Sequence, residues 1–272
     1  MRNDKKQKAE SLLKSHGRLL ILLLLALALA LALITQFGRG MLSTAKSPAA
    51  APSKDRIKAA LPRYAIHLVT WFPFSEENAL SDWEEKVFKG RVSYKIEKAG
   101  DQSYVRAASD AAASALYYKI GLDPKKEPVI SWRWRVEKFP EKAKTEDLES
   151  REEHDFAARV YVIFPTFFIM NSKVLEYIWA KDLPAGSAGT SPYSKNIKLL
   201  VLESGPSKDG EWRTEERDIT ADYVKAFGAP PERDIGAVSF MTNAEHTGTS
   251  AEALYDDIKL GYKKAKAQGG RL

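Results

Sequence analysis

Cysteine is absent from all 272 residues. That excludes a disulfide framework and a lipoprotein held by a lipidated cysteine, so any exported domain has to rest on its hydrophobic core. Histidine is scarce. His16, His67, His154 and His246 show neither H-E-x-x-H nor triad spacing. "ESGPS" (Glu203–Ser207) is not a nucleophile elbow, no glycine-rich phosphate loop occurs, and no period of 20–50 residues recurs. A basic stripe on the folded part is missing too. The net charge is +6, but seven of the 42 basic and two of the 36 acidic residues fall in residues 1–40. That leaves 35 basic against 34 acidic residues in the remainder, which excludes a nucleic-acid binder.

One long apolar run is present. Residues 1–18 are polar and carry Arg2, Lys5, Lys6, Lys8, Lys14 and Arg18, and Leu19 to Ile34 is uncharged Leu/Ala/Ile. Extended through Phe37, the run spans roughly 28 Å as a helix, close to the ~30 Å of a bilayer core. It is either an uncleaved signal anchor or a signal peptide cut after Ser43-Thr44-Ala45, and the basic flank stays in the cytoplasm. The expected organisation is a cytoplasmic flank (1–18), an inner-membrane helix (19–37), an Ala/Ser/Pro/Lys linker (38–60) and a periplasmic domain (61–265).

The domain reads as strands. Alternation runs through "YAIHLVTWF" (Tyr64–Phe72), "RVSYKIEK" (Arg91–Lys98), "SALYYKI" (Ser114–Ile120), "ISWRWRV" (Ile130–Val136), "DFAARVYVIFP" (Asp155–Pro165) and "IKLLVLESG" (Ile197–Gly205). Thr220–Gly228 is expected as a capped helix, and Asn171–Ala180 suits a short helix as well as a strand. The fold class expected is all-β: an antiparallel β-sandwich of jelly-roll, galactose-binding-like type.

Period-two alternation puts Trp132, Trp134 and Val136 on one face of their strand, with Arg133 and Arg135 on the other. In the next strong strand Phe156, Ala158, Val160, Val162 and Phe164 oppose Asp155, Arg159 and Tyr161. The apolar sets are core, which leaves Arg133, Arg135, Asp155, Arg159 and Tyr161 on one shared sheet face. Either the arginines form an internal ladder with acids such as Asp155, Glu153, Glu137 or Glu203, or they present forks to a ligand with Tyr161 as a stacking platform. The polar loop "MTNAEHTGTS" (Met241–Ser250) adds Asn243, Glu245 and His246 at the rim. In "LYDDIKL" (Leu254–Leu260), Asp256 and Asp257 point to opposite faces of a strand. One of them is the candidate ligand of a structural calcium ion. Glu203, Asp155, Asp256 and Asp257 are also the carboxylates from which an acid/base pair would be drawn.

The order "WRWRV", "HDFAARVYVIFP", "YIWA" with "PAGS", "VLESG" and "IGAVSFMTNAEHTGTSAEALYDDI" resembles a bacterial family known as domain of unknown function 3047, over about Trp71 to Lys259. Members usually show two adjacent aspartates where this chain has His154-Asp155, so only Asp155 carries over. Their rim loop is richer in aspartate than Thr242–Thr247. The resemblance implies a fold and an exported setting but no activity, and the closing "YDDIKL" is similar to the last strand of carbohydrate-binding jelly rolls. Together these readings lead to a membrane-anchored, non-catalytic module of the cell envelope that binds a glycan or other polyhydroxylated or anionic ligand. The alternatives are an envelope hydrolase or lyase using a carboxylate pair on the same face, and a structural partner in an envelope complex.

Overall fold

The computed structural model describes residues 65–168, 171–207 and 210–264. The flank, the apolar run and the linker lie outside them. Among the described residues no helix is long and apolar enough to cross a membrane.

The first strands in chain order are β1 (Ile66–Phe72), β2 (Glu84–Lys89), β3 (Ser93–Ala99), β4 (Gln102–Asp110), β5 (Ala113–Leu122) and β6 (Pro128–Lys138). Then come β7 (Ala158–Phe164), β8 (Lys173–Ala180), β9 (Ala188–Thr190), β10 (Ile197–Ser204) and β11 (Arg213–Asp218). A helix α1 (Ile219–Phe227) leads into β12 (Ile235–Asn243) and β13 (Ser250–Lys263). The first sheet runs β11-β6-β13-β4-β3, with β1 along the later half of β13; the second runs β2-β5-β12-β7-β8-β10-β9. Among the described residues only β8 and β10 pair in parallel. Strands β4, β5, β6, β7–β8, β11, β12 and β13 alternate between the sheets in that order, which is the winding of a jelly roll.

The indoles sit between the layers, as their alternation requires. Trp132 and Trp134 are 0% exposed and meet edge-on with centroids 5.3 Å apart. Across the gap Trp132 lies 5.3 Å from Tyr177 and Trp134 lies 5.7 Å from Trp179, both on β8. Of Asn171–Ala180, ambiguous by pattern, Lys173–Ala180 forms strand β8, because Tyr177 and Trp179 alternate inward beside the equally buried neighbours β7 and β10. The helix ends at Gly228 as expected but starts earlier than Thr220, at Ile219 with Asp218 as its cap. Asp218 accepts from the Ala221 N–H at 2.9 Å, and Gly228 at φ +77° closes the C-terminus.

One expectation is corrected here. β6 belongs to the first sheet and β7 to the second, so Arg133 and Arg135 do not share a face with Arg159 and Tyr161. Both strands turn their apolar side to the same core from opposite sides. Their polar side chains therefore end up on opposite outer surfaces of the sandwich.

Candidate functional site

Strand alternation fixes what the second sheet shows outward. Along β7 these residues are Arg159, Tyr161 and Ile163. Cross-strand register sets Met241, Ser239 and Ala237 of β12 beside them, and beyond β12 stand Ala115 and Tyr117 of β5. On the other flank Tyr161 faces Glu176 and Ile163 faces Val174, with Ile197 of β10 next in line. All of these but Ala237 and Tyr117 line a cleft of about 820 Å³, part of it open to solvent, with Tyr193, His154, Glu245 and His246 among its walls.

The polar end is built at the entry to β7 and the exit of β12. Asn243, itself buried, is the hub. Its Oδ1 accepts from Arg159 Nη1 at 2.9 Å and from the Phe156 N–H at 3.2 Å, and its Nδ2 donates to Asp155 Oδ1 at 2.7 Å and Glu245 Oε2 at 2.8 Å. Arg159 is locked rather than free. Its Nε and Nη2 reach Glu176 Oε1 at 2.6 and 2.5 Å, and Nη1 also reaches the His154 carbonyl at 3.4 Å. Burial works against both charges of that pair. Glu176 is raised by burial in spite of Arg159, whereas the guanidinium is held above its ordinary value by Glu176.

Asp155 is 0% exposed and accepts from the N–H groups of His246 (3.1 Å) and Thr247 (2.7 Å) and from the Thr247 hydroxyl (2.8 Å). Burial pushes its carboxyl up, but the hydrogen bonds from His246 and Thr247 outweigh this and hold it well below the usual range. His246 Nδ1 lies 3.0 Å from Glu245 Oε1 and 3.3 Å from Asp155 Oδ1. Burial would pull the imidazole down, yet the two carboxylates push it up to about 9. Its Nε2 meets the Tyr193 hydroxyl at 2.6 Å, and burial pushes that phenol up to about 12. His154 is 2% exposed with both ring nitrogens unpartnered. Burial, with Arg159 and His246 nearby, pulls it well below its ordinary value, so it is neutral.

Asp155, Glu245 and His246 each offer a ligand atom within 4.8 Å of the others, a donor set that suits a divalent cation. The same geometry lets a proton on His246 Nδ1 bridge both carboxylates.

The structure thus brings together Asp155, Arg159, Tyr161, Asn243, Glu245 and His246, and sets Arg133 and Arg135 apart. On the first sheet's outer face those two guanidiniums lie 5.0 and 5.6 Å from the Trp212 ring centroid. Arg133 pairs across strands with Asp256 at 3.5 Å, and Arg135 pairs with Glu137 on its own strand. Glu203 lies 3.8 Å from Arg213, away from the cleft. The expectation that Asp256 and Asp257 point to opposite faces is also corrected. A bulge, with Asp257 at φ +56°, breaks the register between Asp256 and Lys259. Asp256 meets Arg133 and is pushed up to about 6, chiefly by burial. Asp257 accepts from Trp71 Nε1 at 2.5 Å and Lys259 Nζ at 2.7 Å. Calcium there has to compete with these donors.

Glu176, Tyr193 and His154 were not foreseen as cleft residues. Glu176 had a signal, a lone acid on the outward positions of an otherwise apolar strand. Tyr193 sits in a turn whose packing no local pattern reports.

Residues 81–259 match the model of a family described as Protein of unknown function (DUF3047). The chain belongs to that family. No curated protein matches it. Among solved structures it is similar to the CBM22-1 xylan-binding domain from Paenibacillus barcinonensis (11% identity, 75% of this chain and 99% of that one, TM-score 0.38). It is also similar to a cellulase derived from that of Rhodothermus marinus (12%, 67% and 97%, TM-score 0.40). Against the glycoside hydrolase domain of Endo-D from Streptococcus pneumoniae (10% identity, TM-score 0.34), 68% of this chain spans 22% of the other's length.

Proposed function

We propose that this DUF3047 chain is an exported, membrane-anchored binding module of the cell envelope, whose second-sheet cleft takes a sugar unit of a glycan. The observation that carries the reading is the pairing of the Tyr161 and Tyr193 rings with Glu245, His246 and Ser191 around one concavity. Small-molecule sites are mostly apolar and aromatic, with a few convergent polar groups that fix orientation. The C–H faces of a pyranose suit the rings, and its hydroxyls suit the carboxylate and imidazole. The test is a glycan array probed with the full chain in lipid nanodiscs, followed by calorimetry on the hits. Binding that weakens at least tenfold in Tyr193→Ala supports the reading, whereas no binding to any envelope polysaccharide rejects it.

A second reading, a hydrolase or lyase, is favoured by one observation. Glu176 and Glu245 both line the cleft, and burial raises the Glu176 carboxyl in spite of Arg159, the direction an acid partner requires. Product release from a bound glycan, abolished in Glu245→Gln, would decide for it.

A further inference from the structure

The cleft changes character along its strands. At the level of Arg159 lie the ion pair and the Asp155–His246 cluster, flanked on the β5 side by Met241 and Ala115. One step along come Tyr161, Ser239 and Glu176. At the next outward step the lining residues Ile163, Val174 and Ile197 are all apolar, with Ala237 buried beside them. These join Tyr117, Phe88 and Tyr161 in one hydrophobic cluster. Beyond Ala237 the row ends in charge: Lys119 pairs with Glu84 and lies 5.9 Å from the Tyr117 ring centroid.

Past that apolar row comes the β7–β8 connection, which carries Phe167 and Phe168. Phe167 and Phe168 are 74% and 69% exposed, with rings edge-on at 5.2 Å. Large apolar side chains consecutive on a surface turn are costly unless they meet an apolar partner. The turn also lies at the end where the chain enters the domain. Pro165 abuts Gly236 at the start of β12, Ile235 pairs with Leu122, the Asp123 N–H donates to the Tyr262 hydroxyl, and Tyr262 pairs with His67 on β1. Residues 38–64 join that end to the membrane helix expected at 19–37. Those 27 residues tether this end to that helix, at no more than about 95 Å even at full extension.

We propose that the cleft takes an amphiphile carrying a polyhydroxylated head on an alkyl chain. The head lies against Tyr193, Glu245 and His246, and the chain runs over Ile163, Val174 and Ile197 toward the Phe167–Phe168 turn and the membrane. The inference rests on the cleft being the ligand site and adds that the ligand is lipid-borne in its chemistry.

The test uses the full chain in nanodiscs and alkyl glycosides carrying a photoreactive diazirine on either the sugar or the chain end. A dodecyl probe is delivered from the bilayer and a hexyl probe from water, which separates a membrane source from a soluble one. The expected result is sugar-borne labelling around Tyr193 and His246 and chain-end labelling around Ile197 and Phe168. Hexyl glycoside should bind at least tenfold tighter than methyl glycoside, since each fully buried methylene is worth about fourfold. Sugar labelling in the cleft with no chain-end label and no dependence on chain length overturns the amphiphile and leaves the cleft reading standing. No label in the cleft overturns both.

Discussion

At the scale of single residues, the polar end of the cleft is held by charges that only their partners make tolerable. Arg159 and Glu176 are 6% and 2% exposed. Removing one partner strands the other, so Glu176→Ala should lose about 3–5 kcal/mol in urea unfolding, far more than an exposed acid such as Glu137. His246 adds a pH dependence. Its folded value of about 9 lies above that of an unfolded histidine, near 6.5. Its contribution to stability is therefore complete below about pH 6.5 and disappears as pH rises through about 9. Thermal melts from pH 6 to 10 should show that decline in the native chain and a flatter profile in His246→Gln. Asp155 has the opposite sign: its lowered carboxyl contributes at neutral pH and fails only on strong acidification. The sequence showed Asp155, Asn243, Glu245 and His246 as polar residues at strand ends. What it could not show was that residues nearly 90 positions apart meet through the Asn243 amide.

At the scale of elements, alternation determines which side of a strand is core but not which sheet the strand joins. The reading of Trp132 and Trp134 as core was therefore legible, and their truncation is predicted to be severe. Trp132→Ala should cost about 3–5 kcal/mol, measured by denaturant unfolding. The placement of Arg133 and Arg135 beside Arg159 was not legible, because both sheets bury the same kind of stripe. The bulge at Asp257 was equally silent, since one extra residue in a strand leaves the hydrophobic pattern on either side intact. With Asp256 facing Arg133 and Asp257 facing Lys259 and Trp71, millimolar calcium should move the melting temperature by less than about 1 °C. A calcium-dependent rise that vanishes in Asp257→Asn would restore the metal there.

For the whole molecule, the jelly roll offers two outer faces, and they differ in kind. On the first sheet Arg133 and Arg135 are engaged by Asp256, Glu137 and the Trp212 ring. The second sheet encloses a cleft with Tyr161 and Tyr193 in its lining and a charged end. The central claim is that the ligand meets the second face. The direct measurement is calorimetric affinity for one glycan or alkyl glycoside, compared between Tyr193→Ala and the double variant Arg133→Ala/Arg135→Ala. The account predicts at least a tenfold loss in the first and less than a twofold change in the second. A tenfold loss in the arginine variant with Tyr193→Ala unaffected would contradict it.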